Sequence, residues 1–287
     1  MTQTILVTGA TGKTGRRLVT LLQNQDIAIR LASRTPRAGQ VGFDWLQSAS
    51  HVNVLDGVDA VYLIPPTMVE NPVPIIEPFV ATAAHAGVRR LVLLSSMGVE
   101  FPGEPRESGR RKLEALVRTS GLEWTILRPS GFMQNFSEGF LLPAVLHGTI
   151  PDPAGSGKVA MVDAGDIAAV AAKVLTAEGA THAGQTYDVT GPQPIDFLEI
   201  ADTISRHAHR PVSAVPMTSR QFHAMLENAG VPEDYAAMLV RDQDAIRDGA
   251  AATVADTVAH VLGRDPIDFA TFASGASGAW QVTPAMA

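Results

Sequence analysis

Near its start the chain runs Ile5-Leu6-Val7-Thr8-Gly9-Ala10-Thr11-Gly12-Lys13-Thr14-Gly15, then passes into Leu18, Leu21 and Leu22, which share a helical face. A short aliphatic strand, a turn with glycine at every third position and an amphipathic helix leave this segment little freedom. Glycines in such a turn allow a tight bend, close approach of backbone to a ligand, and close packing of helix on strand. The helix begins with unpaired N–H groups and the positive end of its dipole, an arrangement that holds phosphate. Gly9, Thr11, Gly12, Lys13, Thr14 and Gly15 are therefore the first candidate ligand residues, suited to a dinucleotide pyrophosphate. Gly155-Ser-Gly157-Lys158 does not repeat the signal. Asp152 stands five residues before Gly157, and Val159 follows the lysine where a nucleotide loop needs Ser or Thr, so the segment reads as a turn.

The opening rhythm continues. Strands are expected at Thr4–Thr8, Ala28–Ser33, Val41–Trp45, Ala60–Ile64, Leu91–Ser95 and Trp124–Leu127, with helical spacing between them (Ile76, Phe79, Val80, Ala83; Leu113, Leu116, Val117). Short, apolar, non-alternating strands that alternate with helices predict a parallel sheet covered on both faces. With right-handed crossovers this is an α/β fold, a Rossmann-type doubly wound parallel sheet. After Pro129 the pattern changes. Asp163 reads as the N-cap of a helix with Asp166 in its first turn. A strand at Gln185–Val189 and a strand-like Val212–Val215 are set among helices near Phe197–Ala208, Arg220–Ala229, Tyr235–Arg247 and Val254–Leu262. The expected organisation is a dinucleotide-binding domain over 1–130, to which some later segments return. A smaller, mostly helical C-terminal substrate-binding region covers 131–273, and a flexible tail covers 274–287.

Composition narrows the function. The chain has no cysteine, which removes disulfides, thiolate nucleophiles and Cys-ligated metals together. A net charge of −7 gives no basis for a nucleic-acid partner. No apolar run approaches the roughly 20 residues of a membrane span, and a strand pattern begins at once where a signal peptide would lie. A cytoplasmic protein, monomer or homodimer, is expected. The eight histidines are scattered and His207-Ala-His209 lacks a third ligand at metal spacing, so no metal is expected. No GxSxG elbow supports a hydrolase.

The second strand discriminates between cofactors. A ribose with a free 2′-hydroxyl is usually held by a carboxylate at that strand end. Here the strand ends Ala32-Ser33-Arg34-Thr35, with Arg37 behind and no acid nearby. A guanidinium suits a 2′-phosphate, with Ser33 and Lys13 as further donors, so NADP(H) is the expected cofactor. Asp44 and Trp45, after the third strand, are placed to bond and flank the adenine, although a Trp there suits a core equally well.

Together these segments resemble a known family. Thr8–Gly15, Ser33-Arg34, Leu63-Ile-Pro-Pro66, Leu93-Leu-Ser-Ser96, Trp124-Thr-Ile-Leu-Arg-Pro129, Val162-Asp-Ala-Gly-Asp-Ile-Ala168 and Tyr187-Asp-Val-Thr-Gly-Pro192 occur in the order found in the NmrA-like branch of atypical short-chain dehydrogenases/reductases. Its members include triphenylmethane reductase, a quinone oxidoreductase, ergot-alkaloid dehydrogenases and ketoreductases of angucyclinone antibiotic pathways such as that of simocyclinone. It also includes regulators that bind the dinucleotide without turnover. The resemblance implies a cofactor across the carboxyl ends of the strands, with Pro65 and Pro66 beside it. A small aromatic substrate would lie between the cofactor and the C-terminal region, against Met97, Phe132, Met133, Asn135 and Phe136.

The same resemblance exposes a gap. Short-chain dehydrogenases use a strand-end Ser and a Tyr-x-x-x-Lys on the next helix, where the lysine lowers the tyrosine pKa for proton exchange with the substrate oxygen. Ser95 ends the strand and Lys112 falls at the lysine position, but Ser108 stands in place of the tyrosine. Ser95, Ser108 and Lys112 are the catalytic candidates. Three proton sources stay open: one of these serines, a water, or an acidic hydroxyl on the substrate. The expected function is reduction of a ketone or quinone-like carbonyl of an aromatic polyketide-type compound, with non-catalytic NADP(H) sensing as the alternative.

Overall fold

The computed structural model describes residues 2–37 and 39–281. In chain order the elements are β1 (Gln3–Val7), α1 (Lys13–Gln23), β2 (Ile27–Ser33), β3 (Gln40–Gly42), α2 (Ser48–Leu55), β4 (Ala60–Leu63), α3 (Val73–His85) and β5 (Arg90–Leu94). Next come α4 (Gly109–Arg118), β6 (Glu123–Pro129), α5 (Leu142–Leu146), β7 (Thr149–Asp152), α6 (Ala164–Thr176), β8 (Gln185–Val189) and α7 (Phe197–Ala208). The chain then forms β9 (Ser213–Pro216), α8 (Ser219–Asn228), α9 (Glu233–Arg247), α10 (Thr257–Leu262) and α11 (Phe269–Ala276). No helix among the described residues is long and apolar enough to cross a membrane.

Seven strands form one sheet in the order β3-β2-β1-β4-β5-β6-β8, and every pairing in it is parallel. The strands are apolar on both sides because both faces are covered. Ile5, Val7, Ala60, Tyr62 and Val92 pack beneath α1, α6 and α10, while Leu6, Val61, Leu63, Leu91 and Leu93 pack beneath α2, α3 and α4. Strand order reverses between β1 and β4, which opens a crevice at their carboxyl ends.

β6 leads into an excursion that returns as β8, the edge strand beside it. This excursion and the chain after β8 build a second core around Met133, Phe136, Ile150, Phe197, Ile200, Phe269, Phe272 and Trp280. A two-stranded parallel sheet, β7 with β9, runs through this region. α8 and α9 close a small cluster of their own around Phe222, Leu226 and Ala236.

Three expectations are corrected. The third strand stops at Gly42 because Phe43 and Trp45 turn into an aromatic corner with Phe79, at ring separations of 4.7 and 5.2 Å from Trp45. β7, α2 and α5 are additional elements. Residues 274–281, expected in a flexible tail, complete α11 and a 3-10 turn (Ser277–Trp280). Trp280 is fully buried there, and its Nε1 donates to the Phe136 carbonyl at 2.8 Å. Residues 282–287 of the expected tail lie outside the described residues.

Candidate active site

The glycine turn is shaped by its own backbone. Gly9 has φ +63°, and the Gly12 N–H donates to the Gly9 carbonyl at 2.9 Å. A Cβ on Gly15 would overlap that same carbonyl, while one on Gly12 would approach it to 3.2 Å. Thr8 holds the turn from below, since its Oγ1 accepts from the Ile64 N–H at 2.8 Å and donates to the Tyr62 carbonyl at 3.1 Å. Gly12 is the N-cap of α1 and gives it no side-chain cap, and no acid occupies the first turn. The leading amides of α1 therefore face the crevice with their positive dipole end uncompensated. Thr14 is buried, Lys13 half-buried, and Thr11 and Gly12 are exposed. A backbone cradle that side chains would fill fits a pyrophosphate closely applied to it.

Sheet register arranges the rest. Val7 lies beside Leu31 on one side and Tyr62 on the other, so the glycine turn leaves the sheet between Ser33-Arg34 and Pro65-Pro66. Arg34 is exposed and forms no ion pair among the described residues. Ser33 Oγ accepts from the Thr35 N–H at 3.2 Å, turning the chain after β2. Asp44 is occupied with its own turn and accepts from the Leu46 N–H at 3.0 Å. Trp45 is half-buried, edge-on to Phe43 and Phe79, so much of its surface serves the core. Lys13 bridges outward, its Nζ 3.1 Å from Asn135 Oδ1. Burial, together with Arg16 and Arg17, lowers the Lys13 pKa. Arg17 in turn pairs with Glu138 at 2.9 Å.

The catalytic candidates separate. Ser95 Oγ donates to Glu114 Oε1 at 2.7 Å, and Arg128 holds the same carboxylate in a bidentate pair at 2.9 and 2.6 Å. Arg118 adds a contact at 3.3 Å. Burial pushes the Glu114 carboxyl up, but these hydrogen bonds outweigh it and hold the group below the usual range. Its proton committed to a carboxylate, the Ser95 hydroxyl is not offered to the crevice as a donor. Ser108 is 4% exposed and caps α4, accepting from the Arg111 N–H at 3.4 Å. Neither serine is thus placed as the expected oxyanion donor. Lys112 sits on the outer side of α4, its Nζ 3.5 Å from the exposed Glu107 and without a hydrogen bond to the hydroxyl of either serine.

The substrate candidates divide as well. Met133 and Phe136 are each 1% exposed and belong to the second core, so they support the wall rather than line it. Met97 is also buried. Phe132 and Asn135 are half-buried, Phe132 bridging to Val162 and Asn135 meeting Lys13. Glu114 and Arg128 were not among the expected site residues. Arg128, a charge set directly after the apolar pair Ile126-Leu127 within β6, is the signal that could have pointed to a buried partner.

A second ion cluster joins the two regions. Arg110 meets Glu104 at 2.6 Å and, through both terminal nitrogens, Asp242 of α9 at 2.9 Å. Arg110 and Asp242 crowd Gly98, in the 3-10 turn Met97–Glu100 that follows β5. A Cβ on Gly98 would collide with the guanidinium and lie 3.1 Å from Asp242 Oδ1. Elsewhere, His223, Glu227 and Glu233 lie within 4.8 Å of one another, each carboxylate facing a different ring nitrogen, which ties α8 to α9. A recess of about 680 Å³ between α7 and α11 shares no residue with the candidate site.

Comparison with known proteins shows the family. A family described as NAD(P)H-binding matches residues 9–178. The chain belongs to this NAD(P)H-binding family. It is 33% identical over 288 residues to the NAD(P)H azoreductase of Xenophilus azovorans, spanning 96% of the chain and 99% of that protein. Among solved structures, the Citrobacter sp. triphenylmethane reductase complexed with NADP(H) is 26% identical, with a TM-score of 0.79 over 95% of this chain and 99% of that one. The Escherichia coli NADPH-dependent quinone oxidoreductase complexed with NADPH is 25% identical, with a TM-score of 0.80 over 94% of this chain and 99% of that one. The family's chemistry is that of NAD(P)H-dependent oxidoreductases.

Proposed function

We propose that this protein is an NADPH-dependent reductase that transfers a hydride to a ketone or quinone-like carbonyl of an aromatic, polyketide-type compound. The observation that carries the cofactor choice is the end of β2, where exposed Arg34 stands with Ser33 and no carboxylate follows before Asp44. The glycine cradle and the open end of α1 hold the pyrophosphate, and Arg34 takes the 2′-phosphate. When bound, the dinucleotide supplies the hydride and both electrons. The chain positions the acceptor between the 3-10 turn after β5 and the Phe132–Asn135 segment. Relatives named as an azoreductase, a triphenylmethane reductase and a quinone oxidoreductase support a conjugated acceptor.

Loss of NADPH absorbance on incubation with a panel of polycyclic ketones and quinones tests the reaction; no oxidation with any of them sinks it. Arg34→Ala tests the cofactor choice. It is expected to weaken NADPH binding by roughly 10-fold or more, the scale of a charge-assisted hydrogen bond, and to leave NADH nearly unchanged. Equal weakening of both would remove the 2′-phosphate role. The placement of Ser95 and Ser108 in structural hydrogen bonds favours one other reading, a non-catalytic NADP(H)-sensing regulator. Turnover of any substrate eliminates it.

A further inference from the structure

With Ser95 committed to Glu114 and Ser108 capping the start of α4, neither serine candidate offers its hydroxyl to the reduced oxygen. The three tyrosines of the chain differ sharply in this respect. Tyr62 is fully buried beneath the glycine turn, and its hydroxyl is sealed from solvent. The Tyr187 hydroxyl is paired with His182 Nδ1 at 2.8 Å. Tyr235 is half-buried, and among the described residues its hydroxyl is neither sealed nor hydrogen-bonded.

The placement of Tyr235 follows from α9. Tyr235, Met238, Asp242, Ala245 and Ile246 recur at helical spacing and fall on one face. Met238, Ala245 and Ile246 are buried, so this face looks inward toward the body of the protein. Ile246 joins the second core, and Asp242 is locked through Arg110 against Gly98, in the 3-10 turn that follows β5 and Ser95. Two helical turns from Asp242, roughly 10 Å along the axis, the same face presents the Tyr235 ring. Burial and the Asp242 charge raise the Tyr235 pKa, and Arg110 acts in the opposite sense. The phenol therefore keeps its proton through neutral pH.

Resting on the reductase reading above, we propose that Tyr235 donates a hydrogen bond, and then its proton, to the oxygen of the carbonyl being reduced. The work of the tyrosine missing at position 108 would thus be done from α9. The carbonyl carbon takes the hydride, its π pair moves onto oxygen, and the oxygen takes the Tyr235 proton. Water returns a proton to the phenolate. The Arg110–Asp242 pair fixes the distance between α9 and the turn after β5, so it acts as a positioning pair for this donor.

The test compares wild type, Tyr235→Phe and a control on the same face, Met238→Leu, each saturated with NADP+. The probe is 2-hydroxy-1,4-naphthoquinone, a coloured oxyanion whose visible band responds to hydrogen bonding. Wild type and Met238→Leu should bind it and shift its band. Tyr235→Phe should bind it about 10-fold more weakly and without the shift, the scale of one hydrogen bond to a charged group. In turnover, Tyr235→Phe should lose about 10²-fold in kcat/KM and the alkaline limb of the pH profile, with NADPH affinity intact. Equal probe affinity and equal band shift in wild type and Tyr235→Phe overturn the proposal. Absence of NADPH oxidation by wild type overturns the reductase reading instead, and the probe experiment still decides on Tyr235.

Discussion

Removing the Glu114 carboxylate perturbs the best-defined polar cluster in the molecule. Glu114 is 3% exposed and accepts from Ser95, Arg118 and, through Nε and Nη2, one edge of Arg128. Arg128 has a side chain only 12% exposed, and in Glu114→Ala it keeps a single partner, Glu100 at 2.8 Å. Stripping one member from a buried ion pair costs about 3–5 kcal/mol, chiefly because the other charge stays buried without its counterpart. Glu114→Gln retains one acceptor and should cost about 1.5–3 kcal/mol, the range for a hydrogen bond to a charged group. The paired change Glu114→Leu with Arg128→Met removes both charges and should fall within about 1 kcal/mol of wild type. Urea unfolding at neutral pH reads all three as midpoint shifts at constant slope. The pH dependence has a fixed sign. The folded-state pKa of Glu114 lies below its unfolded value, so its stabilisation is complete above the unfolded pKa of about 4.3. It is lost as pH falls through the folded pKa, and the gap between wild type and Glu114→Gln should close in acid. A Glu114→Ala loss under about 1 kcal/mol, or a double variant no more stable than the single one, would refute this reasoning.

Two further predictions concern the frame of the site. Gly15→Ala places a Cβ on the Gly9 carbonyl and should abolish measurable NADPH binding, whereas Gly12→Ala brings its Cβ to a tight 3.2 Å from that oxygen without overlap and should weaken binding less. Fluorescence titration of both variants decides, and equal losses would mean that the backbone contact at Gly15 is not what shapes the cradle. Trp280→Ala empties a fully buried site and deletes the bond to Phe136, so a loss of about 3–5 kcal/mol is expected in the same urea assay. A loss within about 0.5 kcal/mol, typical of a surface position, would return residues 274–281 to the status of a tail.

Much of the cofactor half was legible from local pattern. The glycine turn, the strand apolar on both sides and the acid-free end of β2 each declare themselves within a few residues. The helix at Phe197–Ala208 and the strand at Gln185–Val189 have the same bounds in sequence and structure, because hydrophobic period and caps coincide there. What escaped depends on distant partners. Met133 and Phe136 look identical in sequence whether they face a ligand or a core, and only Phe197, Phe269 and Trp280 settle the matter. Ser95 looks like a free strand-end hydroxyl until Glu114 arrives from α4. Trp280 sits in a stretch whose composition suggests a tail, and a single buried indole overrides that composition. β7 pairs with a strand some 60 residues later, a separation no local period can reveal.

The bond from Trp280 to the Phe136 carbonyl has a consequence for how the protein is made. The two partners are 144 residues apart, so at ribosomal rates of about 5–20 residues per second roughly 7–30 s separate their synthesis. During that interval the strands of the first 129 residues can pair through short crossovers, while the segment that walls the substrate side waits for its last support. The nascent chain would thus have a cofactor cradle before it has a finished place for the molecule to be reduced.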